Sequence, residues 1–387
     1  MSSILRRNAP LGTGRPMTQA GPNRTARLWQ NFDFVLFGVT VILIIYGIMM
    51  IASATRGAVD TDLQSRLPRQ IQYAVIGIGV MFFTASIDYR LLGALHRYIY
   101  LFLVFLLGLV AVLGLAGAAG AQRWLTVGIP VQPSEIAKLL LVIILAQHLQ
   151  AQYNKMDKLQ TVLISLGYIG VPAMLIFLQP SLGITILIMF TWFIMIWAAG
   201  LRAKHIALFV VIGLLGLPIL WSRMEDYQKG RIFSFINPGG DKDSYYNILQ
   251  AQISIGSGGL TGKGYLSGTQ SQLRFLRVRH TDFIFSVIAE ELGFVGASLV
   301  LVLIGIVLWR VMRAAYIAKD PLGSLLCYGV AANIFFQTVV SIGMNLSLLP
   351  VTGLTLPFIS SGGSSLLTLL FGIGLVESVV MRHKNVN

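Results

Sequence analysis

The chain has 387 residues and a formal net charge of +14, yet 55% of it is hydrophobic and only 11% is charged, where ordinary globular chains carry about 25% charged residues. This balance excludes a soluble multidomain protein and points to a polytopic membrane protein. The lone Cys327 excludes an internal disulfide and a thiolate metal cluster, and the five histidines form no HExxH motif.

Residues 1–32 are rich in Arg, Pro, Gly, Thr and Asn, with no acid before Asp33, and read as a disordered basic cytoplasmic tail. The apolar run 34–55 is the first span. At 22 residues it exceeds the roughly 7–15 of a signal-peptide core, so "ASA" at Ala52 to Ala54 is not read as a cleavage site. Further runs without Asp, Glu, Lys or Arg occupy 70–87, 98–122, 159–201, 206–222, 292–309 and 321–376. One helix crosses hydrocarbon in ~20 residues. The run 159–201 therefore divides at "LQPSLG" and the run 321–376 around "LLPVTGLTLPFISSGGSS", where Pro and Gly interrupt helices. With the stretch 139–149 added, ten spans are expected: 33–52, 71–87, 98–117, 134–150, 161–178, 183–200, 205–221, 283–306, 322–343 and 365–381. The fold class is an all-α integral membrane protein, with the membrane domain at 33–387.

Short cytoplasmic loops retain Lys and Arg. A cytoplasmic N-terminus puts sixteen basic residues inside and five in the short outer loops, with the remaining eight in the long segment 222–282. Both termini are thus expected in the cytoplasm and segment 222–282 outside. That segment sums to +3 and attracts anions. Within it "GSGGLTGKGYLSG" packs six glycines into thirteen residues, a run whose N–H groups could approach a phosphate or which is a plain flexible loop. A nucleotide P-loop fails on spacing, because Lys263 is followed by Gly264 instead of Ser or Thr.

Two charged clusters border the apolar spans. In "RHTDFIFSVIAEELGFVG", Asp282 stands at a helix start, where capping is the favoured reading from the residues alone. Glu290 and Glu291 follow roughly 12–14 Å deeper at 1.5 Å per residue, and carboxylates inside a span mark paired or functional sites. In "QRWLTVGIPVQPSEIAK", Arg123 and Trp124 sit near an interface, while Glu135 and Lys138 share a helix face and either neutralise each other or serve a site.

Three long strings, "GAQRWLTVGIPVQPSEIAK", "NILQAQISIGSGGLTGKGYLSGTQSQLRFLRVRHTDFIFSVIAEELGFVG" and "LPVTGLTLPFISSGGSSL", resemble the SEDS family (shape, elongation, division and sporulation), most closely its RodA-like branch. The resemblance covers nearly everything after residue 33. It implies a ten-span, SEDS-like glycosyltransferase of the bacterial cytoplasmic membrane that polymerises lipid II into peptidoglycan during cell elongation. It makes Asp282 the general base and places Arg123, Trp124, Glu135, Lys138, Lys263, Arg279, His280, Ser360 and Ser364 in the substrate site. No metal ligands are assigned, and a divalent cation, Mg or Mn, is the one cofactor it suggests. The implied partners are a class B penicillin-binding protein acting as transpeptidase, other membrane proteins of the elongation complex and membrane lipid. No nucleic acid is expected. Small residues of the ninth span, Gly323, Ser324, Gly329, Ala331 and Ala332, suit a docking surface for a partner helix. A lipid II flippase and a non-catalytic scaffold for a transpeptidase are the alternative readings. The chain departs from the family pattern at Ser181, where an acid is usual, at Ser361, where a tyrosine is usual, and in "FLRVRHTDF", which has one acid fewer and one cation more.

Overall fold

The computed structural model describes residues 29–57, 60–113, 115–116, 122–127, 129–179, 181–237, 242–273, 275–276 and 278–383. Helices dominate: α1 (Phe34–Thr55), α2 (Thr61–Ser86), α3 (Tyr89–Ala94), α4 (His96–Leu113), α5 (Pro133–Ala151), α6 (Leu159–Leu178), α7 (Leu182–Ala198), α8 (Ala203–Arg223), α9 (Asp226–Ile236), α10 (Lys242–Gly258), α11 (Thr269–Gln272), α12 (Ile284–Ile317), α13 (Pro321–Asn345) and α14 (Gly363–Met381). Ten of them coincide with the ten expected segments. Six, namely α1, α5, α6, α12, α13 and α14, are long and apolar enough on their own to cross a membrane, and α4 and α7 are shorter apolar helices.

The helix ends follow local chemistry. Asp33 caps α1, its carboxylate accepting the Val35 and Leu36 N–H groups at 3.1 Å. Asp320 caps α13 through the Gly323 N–H at 2.8 Å, with Pro321 pre-set at the first helical position. Asp33 also pairs with Arg310 of α12 (2.7 Å), and its own N–H donates to Glu377 of α14 (3.0 Å), so three helices are tied at that end of the bundle. The core is built from residues such as Ile143, Leu145, Met195, Ile334, Ile373 and Leu375, all essentially fully buried. α14 lies along α2 and contacts α5 and α13. Ile45, Val75, Phe83, Phe105, Leu215 and Val302 face outward, the surface that a hydrocarbon solvent rewards.

Four expectations change. The third span ends at Leu113, and a small antiparallel sheet follows, β1 (Leu115–Ala116), β2 (Gln122–Val127) and β3 (Ile129–Val131), in the order β1-β2-β3. The hydropathy of 98–122 hides this change because apolar runs fit strands as well as helices. α2 begins ten residues before the expected start at 71, so it carries Arg66 and Arg69 within the helix. α12 runs on past 306 to Ile317 and is broken at Gly293 (φ 65, ψ −163). Lastly, Gly323, Gly329, Ala331 and Ala332 are buried inside the bundle: Gly329 packs against Val142 and Met195, and Gly323 against Val379 and Tyr89. Their small size lets α13 approach its own neighbours, so this stripe does not form a lipid-facing docking surface.

Candidate active site

The turn before α12 is held by its backbone. Its three successive carbonyls each accept a donor: His280 from the Ser361 N–H (3.0 Å), Thr281 from the Ser360 hydroxyl (2.7 Å) and Asp282 from the Asn345 side-chain amide (2.8 Å). Asn345 in turn accepts the Ser286 N–H (3.1 Å) and hydroxyl (2.6 Å). An amide at the end of α13 thus does the capping that the sequence suggested for Asp282, and the Asp282 carboxylate is not the cap of α12, whose N-cap position is Phe283. Arg279 is buried, its Nε donating to the Ala54 carbonyl of α1. The segment between α13 and α14 is pinned as well, because Gln70 of α2 accepts the Gly362 N–H at 3.2 Å.

Asp282 borders a cavity of about 460 Å³. Its walls come from α2 (Arg66, Arg69, Gln70, Tyr73), the starts of α5 (Glu135) and α7 (Ser181), one face of α9 (Gln228, Arg231, Ile232), and the stretches 350–355 and 361–365. Of the residues expected from sequence, Asp282, Glu135 and Ser364 line it together, with Ser364 Oγ accepting the Gln132 N–H at 3.2 Å. Both serine departures, Ser181 and Ser361, face this cavity. Lys138 lies one turn behind Glu135, with its Nζ 2.7 Å from Glu135 Oε2. Among the described residues that oxygen accepts no hydrogen bond, so the contact is an ion pair. Ser360, Arg279 and His280 are buried, and they support the turn instead of lining the cavity. Arg123 and Trp124 lie on β2, and their side chains fall outside the described residues.

Sequence reasoning missed Arg66, Arg69, Gln70, Tyr73 and Arg231. The first four occur at i, i+3, i+4 and i+7, one helical face, a signal present in the sequence but hidden because charges ended the apolar run. Three guanidinium groups and two carboxylates therefore share one cavity. Asp282 is half-buried. Desolvation pushes its carboxyl above the ordinary aspartate range, opposed by the Arg231 guanidinium and the Thr281 hydroxyl.

Lys263 does not line the cavity. Its Nζ donates to Glu290 Oε1 (3.0 Å) and to Thr269 Oγ1 (2.7 Å). Glu290, fully buried, also accepts the Gln270 and Ser271 N–H groups (2.8 and 3.1 Å). Glu291 accepts the Ser53 hydroxyl (2.5 Å), the Leu266 N–H (3.1 Å) and the Gln272 amide (3.3 Å). The glycine-rich segment closes the same structure. The break in α12 leaves carbonyls and N–H groups without helical partners. Lys263 and Gly264 donate their N–H groups to the Glu290 and Glu291 carbonyls (3.0 and 2.9 Å), and Gly259 and Leu260 accept from Phe294 and Val295 (2.9 and 3.1 Å). A side chain on Gly258, Gly262 or Gly293 would strike the facing backbone. These glycines approach another helix, not a phosphate, and the two glutamates are fasteners for the outer segment.

The donor set does not fit a resident divalent cation. Among the described residues no three His, Cys, Asp or Glu come together, and the two cavity carboxylates share their space with arginines.

Comparison with known proteins agrees with this architecture. A family model described as a cell cycle protein, spanning FtsW, RodA and SpoVE, matches residues 33–385. Peptidoglycan glycosyltransferase MrdB of Escherichia coli K12 is 37% identical over 357 residues, covering 92% of this chain and 95% of that one. Stage V sporulation protein E of Bacillus subtilis strain 168 is 34% identical over 356 residues, covering 90% and 96%. The crystal structure of the rod shape determining protein RodA of Thermus thermophilus matches with a TM-score of 0.69 at 30% identity, over 93% of this chain and 99% of that one. A chain from a peptidoglycan synthase complex, solved for the coordination of polymerization and crosslinking, matches with a TM-score of 0.79 at 30% identity, over 92% and 100%.

Proposed function

Because the chain belongs to the cell cycle protein family of FtsW, RodA and SpoVE, we infer that it is a peptidoglycan glycosyltransferase serving rod-shaped elongation, with Asp282 as its general base. The substrate is lipid II, a disaccharide-peptide on undecaprenyl pyrophosphate. The observation that carries the reading is a carboxylate fixed through its own backbone at the wall of a cavity that also holds arginines.

The chemistry follows from those groups. Asp282 takes the proton from the acceptor sugar hydroxyl as that oxygen attacks the donor's anomeric carbon. The bond from that carbon to the pyrophosphate breaks on the opposite face, and undecaprenyl pyrophosphate leaves with the electron pair. The configuration inverts. Arg66 and Arg69 of α2 stabilise the negative charge growing on the leaving group. No step runs through a metal.

The protein is a multi-pass membrane protein, for which we assign the bacterial cytoplasmic membrane, both termini inside and segment 222–282 outside. Its expected partner is a class B penicillin-binding protein, supported by the match to a chain from a peptidoglycan synthase complex.

The test is polymerisation of labelled lipid II by the purified chain in detergent, where no transbilayer step exists, with and without a transpeptidase partner. Asp282→Asn should fold and insert normally and lose about 100-fold or more of the rate. Near-normal synthesis by that variant excludes Asp282 as the base. No polymer from the wild-type chain, alone or partnered, favours the flippase or scaffold readings. Burial raises the Asp282 pKa and the base must be ionised, so kcat/KM falls as pH drops through a value above the ordinary aspartate range.

A further inference from the structure

We propose that Arg231 is a positioning residue for Asp282: carried on α9, its guanidinium faces the carboxylate across the space that Gly353 leaves open, so that the seating of α9 decides whether the base is competent. This rests on Asp282 being the base.

Three observations carry it. First, a single point in the cavity is shared by both groups. A Cβ added to Gly353 would lie 3.8 Å from Arg231 Nη1 and 3.9 Å from Asp282 Oδ2. The absence of a side chain there, at a backbone φ of +74°, keeps the space between cation and anion open to a hydroxyl. Second, the guanidinium is aimed. Arg231 Nη1 donates to the Val351 carbonyl at 3.4 Å, which anchors the planar group to the same stretch that presents Gly353. Third, the helix carrying it is built to present that face. Glu225 and Gln228 close a reciprocal capping box at the start of α9, and Gln228, Arg231 and Ile232 form one helical stripe on the cavity. α9 packs chiefly against α10, which in turn packs on α12, the helix that follows Asp282.

The other charged or titratable groups that face the cavity are Arg66, Arg69 and Tyr73 from α2 and Glu135 from α5, while the stretch 350–355 and the start of α7 contribute none. The α2 arginines sit on an element pinned by Gln70 to Gly362, where the leaving group is assigned. Arg231 is the cation whose field reaches Asp282. Desolvation alone would leave the carboxyl protonated further up the pH scale, and the guanidinium opposes it.

The test is the pH profile of kcat/KM for lipid II polymerisation by the purified full chain. In Arg231→Gln the acidic limb moves to higher pH. The variant loses about 10-fold at the wild-type optimum and recovers most of it as pH is raised, because a general base is restored by ionisation. Arg231→Lys keeps the charge and returns the limb towards its wild-type position. Arg231→Met repeats the measurement should the Gln variant purify poorly. An Arg231→Gln profile with an unmoved limb overturns the proposal, whether its rate is normal or its KM is raised uniformly as for a substrate contact. Asp282→Asn is measured alongside. A pH-independent loss in that variant keeps the base assignment, whereas retained activity there removes the premise itself, so the two failures are distinguishable.

Discussion

Asp282 and Glu135 are both carboxylates at the start of apolar helices, and their surroundings separate their roles. Asp282 is aimed into the cavity by hydrogen bonds to its own carbonyl and to the two before it. Glu135 faces the same space but is balanced from behind by Lys138, whose side chain is 3% exposed. Removing one partner of such a buried pair leaves an uncompensated charge. Lys138→Met should lower stability by about 3–5 kcal/mol, and adding Glu135→Gln should recover most of that, read by thermal unfolding in detergent. A Lys138→Met variant as stable as wild type would show that the pair carries no structural burden. Both carboxylates were legible in the sequence, because charge inside an apolar run is conspicuous. Asn345 was not. A lone amide near the end of an apolar span carries no signal until the fold sets it against residues 282 and 286. Arg231 was similarly hidden among the eight basic residues of the outer segment.

The ten helical segments were readable from hydropathy, with errors where charge or kinks interrupt it. α2 was truncated because Arg66 and Arg69 end its apolar run, and the break in α12 was invisible because a single glycine in a helical pattern, here Gly293 just after Glu290 and Glu291, does not by itself mark a break. The glycine-rich stretch was misread for a deeper reason. Glycine shows that a backbone approaches something closely, never what that something is. α10 offers an internal comparison. A methyl on Gly256 meets nothing within 4 Å, while one on Gly258 collides with the Ala289 carbonyl. Gly256→Ala should therefore be neutral or gain up to about 1 kcal/mol from helix propensity, and Gly258→Ala should sharply reduce the yield of folded protein in fluorescence-detected size exclusion. Equal behaviour of the two variants would mean that α10 does not pack on α12 in the membrane.

For the molecule as a whole, orientation decides which side of the membrane supplies the substrate. The basic residues outside the long segment divide sixteen to five, and the cavity adjoins the segment 222–282 that this division puts outside. A reporter active only in the cytoplasm, fused near Lys242, should be silent, and one at the C-terminus should be active. The reverse pattern would put the chemistry on the wrong face of the membrane.

The fixing of residues 280–282 bears on how a polymer is made. Their three carbonyls are bonded to the end of α13 and to the stretch before α14, and the neighbouring Arg279 is bonded to the end of α1. A base at Asp282, as proposed, is consequently a stationary point of the molecule. After each transfer it is the growing strand that has to advance, by one disaccharide, to bring a fresh end to Asp282. Repeated addition without release then requires the product to slide along a cavity wall that stays in place.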